Sequence, residues 1–415
     1  MRNLNIAALL VLALLCPSVY AEESSAPLPN WLDPSERIQK SLSETSPKTP
    51  PPPDFRLTAE YEPAGAVVVG WAGYTDMLSA IARAVTGPGG AKLWAAAGPE
   101  SIAGVPAESY SRINIKVNSV WSRDYGPFGI SASQGKAAIV DTVYRHYQYR
   151  TSDDAAPGNI GRIKGLDVYG TDLVLDGGNV LVDSAGNLFM TVRTYAWNSG
   201  MSRDQVDSAL KRYFNVKNIY TFDYAGYPGE PADGTGHIDM FMKLLNDHTV
   251  LISLADTEPF KSNSEKALAF FRDRQAPDGE PYKIITVKGW AKSGTWYTYT
   301  NSLIVNNVAV IPSYSGSAQD NAAAKEAYEA GMRGVTVVQV PSDSSIKAGG
   351  SIHCVTQVIP KASNLSLTVA PEFTGTSGTG EPVYEDVALT SPGDAALEPG
   401  ERALGQLVLQ AAPGQ

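Results

Sequence analysis

Five times along this chain a polar or glycine-bearing turn leads into strand-like segments, and no other feature limits the fold as much. The five are RDYGPFGI with KAAIVDTVY, DGGNVLVDSAGNLFMTVR, GHIDMFMKLLNDHTVLISL, YTNSLIVNNVAVIPSY and SIHCVTQVIP. Their leading residues, Asp124, Gly178, His237, Asn301 and Cys354, are separated by 54, 59, 64 and 53 positions. Units of this length cannot bury an apolar face alone, so they stack as a propeller or array with the leading residues gathered near one axis. The alternative is an ordinary mixed α/β domain whose spacing is accidental, because the repeats match in layout and hardly in letters.

Single helices alternate with the strand pairs. Apolar residues at helical spacing predict helices over 77–85, 202–214, 262–274 and 318–332, and strands over 64–71 and 91–96. Residues 1–21 have the layout of a secretory signal: Arg2, an apolar run from Ile6 to Leu15, then Val19-Tyr20-Ala21. The run is too short to span a bilayer. Residues 22–56 are rich in Pro and Ser and read as a partly extended leader; 57–371 form the folded domain; 372–415 are a low-complexity tail. The expected location is therefore secreted or periplasmic, without a membrane anchor.

Removal of the signal would also remove Cys16 and leave Cys354 as one unpaired thiol, which outside the cell must be buried or used. The formal charge is −10 and no basic patch occurs, which argues against nucleic acid as a partner. There is no HExxH or paired-cysteine spacing for a metal, no phosphate-loop or dinucleotide fingerprint and no GxSxG elbow, so no cofactor is expected.

His237 and Asp239 lie two apart in GHIDMFMKLL; strand alternation would place both on one face, where they must be paired or used. His353 adjoins Cys354 and on a strand would point away from the thiol, which suits a structural role. Trp121, Arg123 and Asp124 precede a Gly-Pro turn as a cleft wall would, although a plain structural turn fits equally. Asn301 follows the aromatic run WYTYT and says little by itself. Taken together, a Cys/His nucleophilic enzyme with extra carboxylates fits best.

WSRDYGP, LDGGN, GHIDMF, YTNSLIVNNVAVIP and GGSIHCVTQVIP, in that order, resemble the agmatine deiminase and bacterial-type peptidylarginine deiminase family over residues 57–362. The resemblance implies a five-bladed α/β propeller with pseudo-fivefold symmetry and guanidine-modifying chemistry without metal or cofactor. By motif, Cys354 corresponds to the nucleophile and His237 to the general acid/base. Asp124 and Asp239 correspond to the carboxylates that grip the guanidinium, Asn301 to a polar residue beside them, and Trp121 lies near the substrate channel. Arg145 and Arg150, in DTVYRHYQYRTSDD, stand where the bacterial peptidylarginine enzyme has an arginine-bearing loop, and are candidate substrate contacts. Asp153 or Asp154 would instead suit a substrate with a free amine.

Two carboxylates can hold the planar N–H fork of a guanidinium and fix its carbon before a thiolate. Export points to arginine in peptides or proteins as the substrate, giving citrulline and ammonia. The alternatives are a small cationic guanidine such as agmatine, or a catalytically silent propeller that binds arginine-rich peptides.

Overall fold

Each of the five polar-led segments makes a short turn and then enters a separate small sheet. The computed structural model describes residues 26–39, 46–133 and 135–362, together with short strands at 368–369, 373–376, 382–384 and 389–390. The expected signal at 1–21 lies outside the described residues, as does most of the 372–415 tail.

One strand pattern recurs in the five sheets. Phe128–Ala132 pairs antiparallel with Ala137–Val143, which pairs parallel with Asp167–Val174. The same antiparallel-then-parallel order joins Leu181–Val182, Asn187–Thr191 and Asn218–Phe222. It recurs in Met242–Asn246, Thr249–Leu254 and Lys283–Lys288, and again in Leu303–Val305, Val308–Ser313 and Thr336–Pro341. The fifth sheet joins the two ends of the domain: Gln357–Pro360 pairs antiparallel with Ala64–Gly70, which runs parallel to Lys92–Ala96. A parallel pair needs a crossover, and a helix supplies it in each sheet: Thr75–Thr86, Ala156–Lys164, Arg203–Phe214, Phe260–Arg272 and Ala318–Gly331. The architecture is therefore α/β, with five sheets of one ββαβ plan and no hydrogen-bonded closure into a barrel among the described strands.

The helix starts are local in origin. Ser202 accepts from the Gln205 backbone N–H while the Gln205 side chain accepts from the Ser202 N–H, a capping box written in the sequence as S-R-D-Q. Val206, Leu210 and Phe214 then face inward at spacings of four. The central strands, such as Val67-Val68-Val69 and Val308–Ile311, are buried on both faces because helices or neighbouring sheets cover each side.

Described parts of the Pro- and Ser-rich leader over 22–56 pack on the domain. Phe55–Leu57 is already a strand, paired with Ile130–Ala132. Upstream, residues 28–36 lie as a strap across the domain, with Asn30 fully buried. Among the described residues, no helix is long and apolar enough to cross a membrane.

Candidate active site

All five leading segments end at one buried cluster. Trp121 begins the single helical turn Ser122–Tyr125, which drives Asp124 inward. The carboxylate Oδ1 of Asp124 accepts the Gly178 N–H at 3.0 Å. Asp176 opens the turn Gly177–Asn179, and Asn179 Oδ1 accepts from Thr191 N at 3.0 Å and Ile238 N at 3.2 Å, tying this turn to the next. His237 and Asp239 do not lie on a strand as alternation suggested: Ile238–Met240 is a 3-10 turn, and the strand starts only at Met242. Gly236, with φ +69°, breaks the extended run just before it. The turn sends the two side chains to different partners.

His237 Nε2 sits 3.2 Å from Asp176 Oδ2, and its Nδ1 lies 3.6 Å from Asp124 Oδ1 without a hydrogen bond. Asp239 Oδ2 accepts from Asn301 Nδ2 at 2.9 Å and lies 2.6 Å from His353 Nδ1. Asn301 Nδ2 also reaches Cys354 Sγ at 3.1 Å, and Sγ lies 3.7 Å from Asp239 Oδ2. Asn301 Oδ1 accepts from Ser351 N and Cys354 N, so this one amide fixes the whole cysteine loop. Cys354, His237, Asp239, Asp124, Asp176 and Asn301 are all inaccessible to solvent.

Three carboxylate oxygens here, Asp124 Oδ2, Asp176 Oδ1 and Asp239 Oδ1, are buried without a hydrogen-bond donor, as is His237 Nδ1. A buried acceptor left unpaired costs on the order of 1–3 kcal/mol, so such a set points to a ligand rich in N–H donors. The backbone at Gly178 packs directly against these groups. A Cβ there would meet His237 Nδ1 at 2.6 Å, Asp124 Oδ1 at 2.8 Å and Asp239 Oδ2 at 3.2 Å. Gly178→Ala should therefore displace these buried side chains, lowering kcat/KM by roughly 100-fold or more, the scale expected of a misplacement near 1 Å, and costing about 1–3 kcal/mol of stability, the scale of overpacking. Steady-state kinetics and a thermal melt check both parts.

Electrostatics assigns roles to the groups. Burial, with Asp239 and Asp124 beside it, pushes the Cys354 thiol well above its usual value, so the resting group is a neutral thiol. Burial alone would depress His237, but Asp124 and Asp176 outweigh it and hold the imidazole above its ordinary value. Burial next to Asp176 and Asp239 pushes the Asp124 carboxyl up to about 6. Were Asp124 to hold a cationic substrate it would have to be ionised, and kcat/KM would then be expected to fall as pH drops through about 6. In kcat the same limb should lie lower, because a bound cation favours the carboxylate. A pH–rate series on both parameters tests this.

The remaining predicted residues form the cover. Trp121 donates its indole N–H to Leu28 O at 2.9 Å and touches the cysteine loop, where a Cβ on Gly350 would meet both its ring and Cys354 Sγ. Arg145 pairs with Asp176 through Nε and donates to Asn30 O at 2.6 Å; it and Arg193 lie over the Trp197 ring, whose edge meets His237. Arg150 is elsewhere: it holds Glu36 through two N–H groups at 2.7 and 2.8 Å and donates to Pro29 O and Trp31 O. It anchors the strap and makes no hydrogen bond to the cluster. Asp153 accepts from Asn118 N and Ser119, and Asp154 from Tyr144 N, so neither faces the cluster.

Charge-assisted hydrogen bonds are worth about 1.5–3 kcal/mol each. Arg150→Ala should thus loosen the strap selectively, and native-state proteolysis should cut between Pro29 and Glu36 at least ~10-fold faster than in the parent.

Asp176 was missed in the sequence, although it sits in the quoted LDGGN; the glycines drew the reading, and a carboxylate fixed beside so tight a turn was the available signal. Glu60 was missed as well, and has no local signal because its partners are Arg123, Lys243 and His353. Asp124, Asp176 and His237 also place ligand-type atoms within 4.8 Å of one another, as a metal site would, but the Arg145 guanidinium already supplies a positive charge there.

The profile of the Porphyromonas-type peptidyl-arginine deiminases matches residues 56–360. A Vibrio parahaemolyticus protein provisionally named agmatine deiminase is 23% identical, covering 60% of this chain and 77% of its own length. A Marinomonas protein with the same provisional name is 24% identical over 61% and 77%. Among solved structures, the agmatine deiminase of Enterococcus faecalis superposes with a TM-score of 0.65 at 21% identity, covering 78% of this chain and 100% of that one. A provisionally named arginine deiminase from Porphyromonas gingivalis gives 0.64 at 21% identity over 74% and 99%.

Proposed function

The chain belongs to the Porphyromonas-type peptidyl-arginine deiminase family, and on that premise we propose that it hydrolyses the guanidinium of a small alkyl guanidine of the agmatine type to a ureido group and ammonia. It is a guanidine-directed hydrolase that works through cysteine. One observation carries the guanidinium in this reading: three unpartnered carboxylate oxygens and a free imidazole nitrogen lie in the cluster around Cys354, the complement of a planar N–H fork. The relatives' names favour a small guanidine, and so does the complete enclosure of the cluster under the strap. We take the five ββαβ sheets to be the five blades of an α/β propeller, which accounts for the convergence of their leading turns.

In this mechanism Asp124 and Asp239 orient the guanidinium so that Cys354 Sγ faces its carbon. The cation offsets the field that otherwise keeps the thiol protonated. Sulfur attacks to form a tetrahedral adduct. His237 Nδ1, the nitrogen not engaged by Asp176, gives its proton to the leaving nitrogen, and ammonia departs from an S-alkylthiouronium. The same nitrogen then takes one proton from water as its oxygen bonds to the carbon; when the C–S bond breaks, the remaining hydroxyl proton leaves to solvent, where the released ammonia takes it up as ammonium. Asp176 holds the ring and supports its positive charge throughout. Asn301, bonded to both Asp239 and Sγ, keeps carboxylate and sulfur in register.

A second reading, arginine in peptides or proteins outside the cell, is supported by the expected signal at 1–21. It is also supported by Arg145 and Arg193 flanking Trp197, since two cations there disfavour a substrate with a second ammonium. The test is ureido-product formation from agmatine, free arginine, and blocked peptides with internal or C-terminal arginine. Turnover of agmatine supports the first reading; turnover confined to peptides supports the second; no product from any of them overturns both.

A further inference from the structure

The mechanism leaves one proton without a destination. Cys354 rests as a thiol, and among the described residues its sulfur has two hydrogen-bond neighbours, Asn301 and Asp239. Asn301 Nδ2 is a donor and can accept nothing, so Asp239 Oδ2 is the acceptor in reach. Behind Asp239 stands His353, with Nδ1 at 2.6 Å from that same oxygen and Nε2 at 2.7 Å from Glu60 Oε2. We infer that His353 holds the proton that Cys354 must lose, receiving it through Asp239, and that Glu60 positions the ring for this.

The geometry offers a place for such a proton. A neutral imidazole carries one N–H, yet both ring nitrogens are within hydrogen-bond distance of carboxylate oxygens. With the N–H directed at Glu60, the Nδ1 lone pair faces Asp239 Oδ2, and a second proton is needed to satisfy that contact. The thiol supplies it: the S–H bond breaks, Asp239 passes the proton on, and an N–H bond forms at Nδ1. The products are a thiolate and an imidazolium lying between two carboxylates. Net charge is unchanged and no outside reactant is consumed. When product leaves, the proton returns by the same path.

The groups around His353 set its balance. Arg123, whose Nε donates to His353 O at 3.3 Å, and Lys243 both oppose an imidazolium; Glu60 and Asp239 favour it. Burial together with the two cations keeps the resting ring below its ordinary value, so it is free to accept. Glu60 remains ionised despite its burial, because Lys243, His353 and Arg123 surround it. It also lines a cavity of about 50 Å³ with Arg123, Lys243 and Gln357, away from the strap residues that cover the thiol. His353 touches no reacting atom and acts through Asp239. This placement rests on the proposed deiminase reading of Cys354.

The experiment is the pH dependence of Cys354 alkylation by 2-chloroacetamidine, an amidinium that enters as a guanidinium would, in the parent and in His353→Gln. The carboxamide keeps a donor for Glu60 but cannot take up a proton. The midpoint should rise by about one pH unit or more, a tenfold slower reaction at neutral pH; coincident profiles overturn the inference. Should His353→Gln fail to fold, ¹⁵N-histidine NMR of the parent titrated with acetamidine decides. A second N–H appearing at His353 together with thiolate absorbance supports the relay, and a proton gained at His237 instead overturns it. Parent turnover measured alongside separates the two ideas, because loss of the proposed activity with the alkylation shift intact would sink the substrate reading alone.

Discussion

Cys354→Ala should yield folded protein without turnover. Removing a covalent nucleophile costs on the order of 10⁶-fold in kcat, which takes product below detection in an ordinary assay. The fold should lose only about 1 kcal/mol, since the change leaves a small cavity and the resting thiol carries no charge that the structure depends on. Asn301 would lose one acceptor and keep its bonds to Asp239, Ser351 and residue 354. Binding of a guanidine, measured by calorimetry, should survive or tighten, because the three carboxylates remain. Product at more than a trace level from this variant would remove the covalent mechanism.

The second large effect is on stability. Glu60→Ala should destabilise the protein by about 3–5 kcal/mol in denaturant unfolding, the cost of leaving buried charge without its partner. Lys243 is fully buried, and its bonds run to Glu60 and to Ser302 O at 2.8 Å. Arg123 bonds to Glu60 at 2.6 Å, and the Ile304 N–H donates to the same carboxylate at 2.8 Å. One side chain thus gathers contacts from four segments: the Trp121 turn, the strand after His237, the strand after Asn301 and the cysteine loop. Glu60→Gln should recover part of the loss by keeping the hydrogen bonds to neutral partners. A change below ~1 kcal/mol in the alanine variant would show that solvent or local rearrangement compensates the cations.

Which features could be read from the chain follows from how local their causes are. The helix at Arg203–Phe214 was legible because its cap and its apolar stripe lie within thirteen residues. The turns carrying Asp124, Gly178, His237, Asn301 and Cys354 were legible as recurring polar breaks before apolar strands. Alternation misplaced Asp239 relative to His237 because a 3-10 turn, forced after Gly236, replaced the strand on which the rule depends. Arg150 was a candidate substrate contact because its segment resembles an arginine-bearing loop of the family, whereas its partner Glu36 lies 114 positions away. Asp176 and Glu60 acquire their importance from neighbours in other sheets, and no window of sequence contains those neighbours. The leader was read by composition alone, and composition does not reveal that Asn30 and Leu28 meet Arg145 and Trp121.

The pairing of Gln357–Pro360 with Ala64–Gly70 also sets a timetable. Synthesis runs from the amino end, so the strand at Ala64–Gly70 waits with one open edge until nearly three hundred further residues have been made. Cys354 arrives three residues ahead of the segment that seals that edge, and its loop is held by an amide, Asn301, already in place. A chain made as far as Asn301 therefore has the carboxylates and imidazole of the cluster but not the Cys354 thiol. Of the clustered groups, the Cys354 thiol is the last to be made, and the strand that follows it three residues later closes the domain.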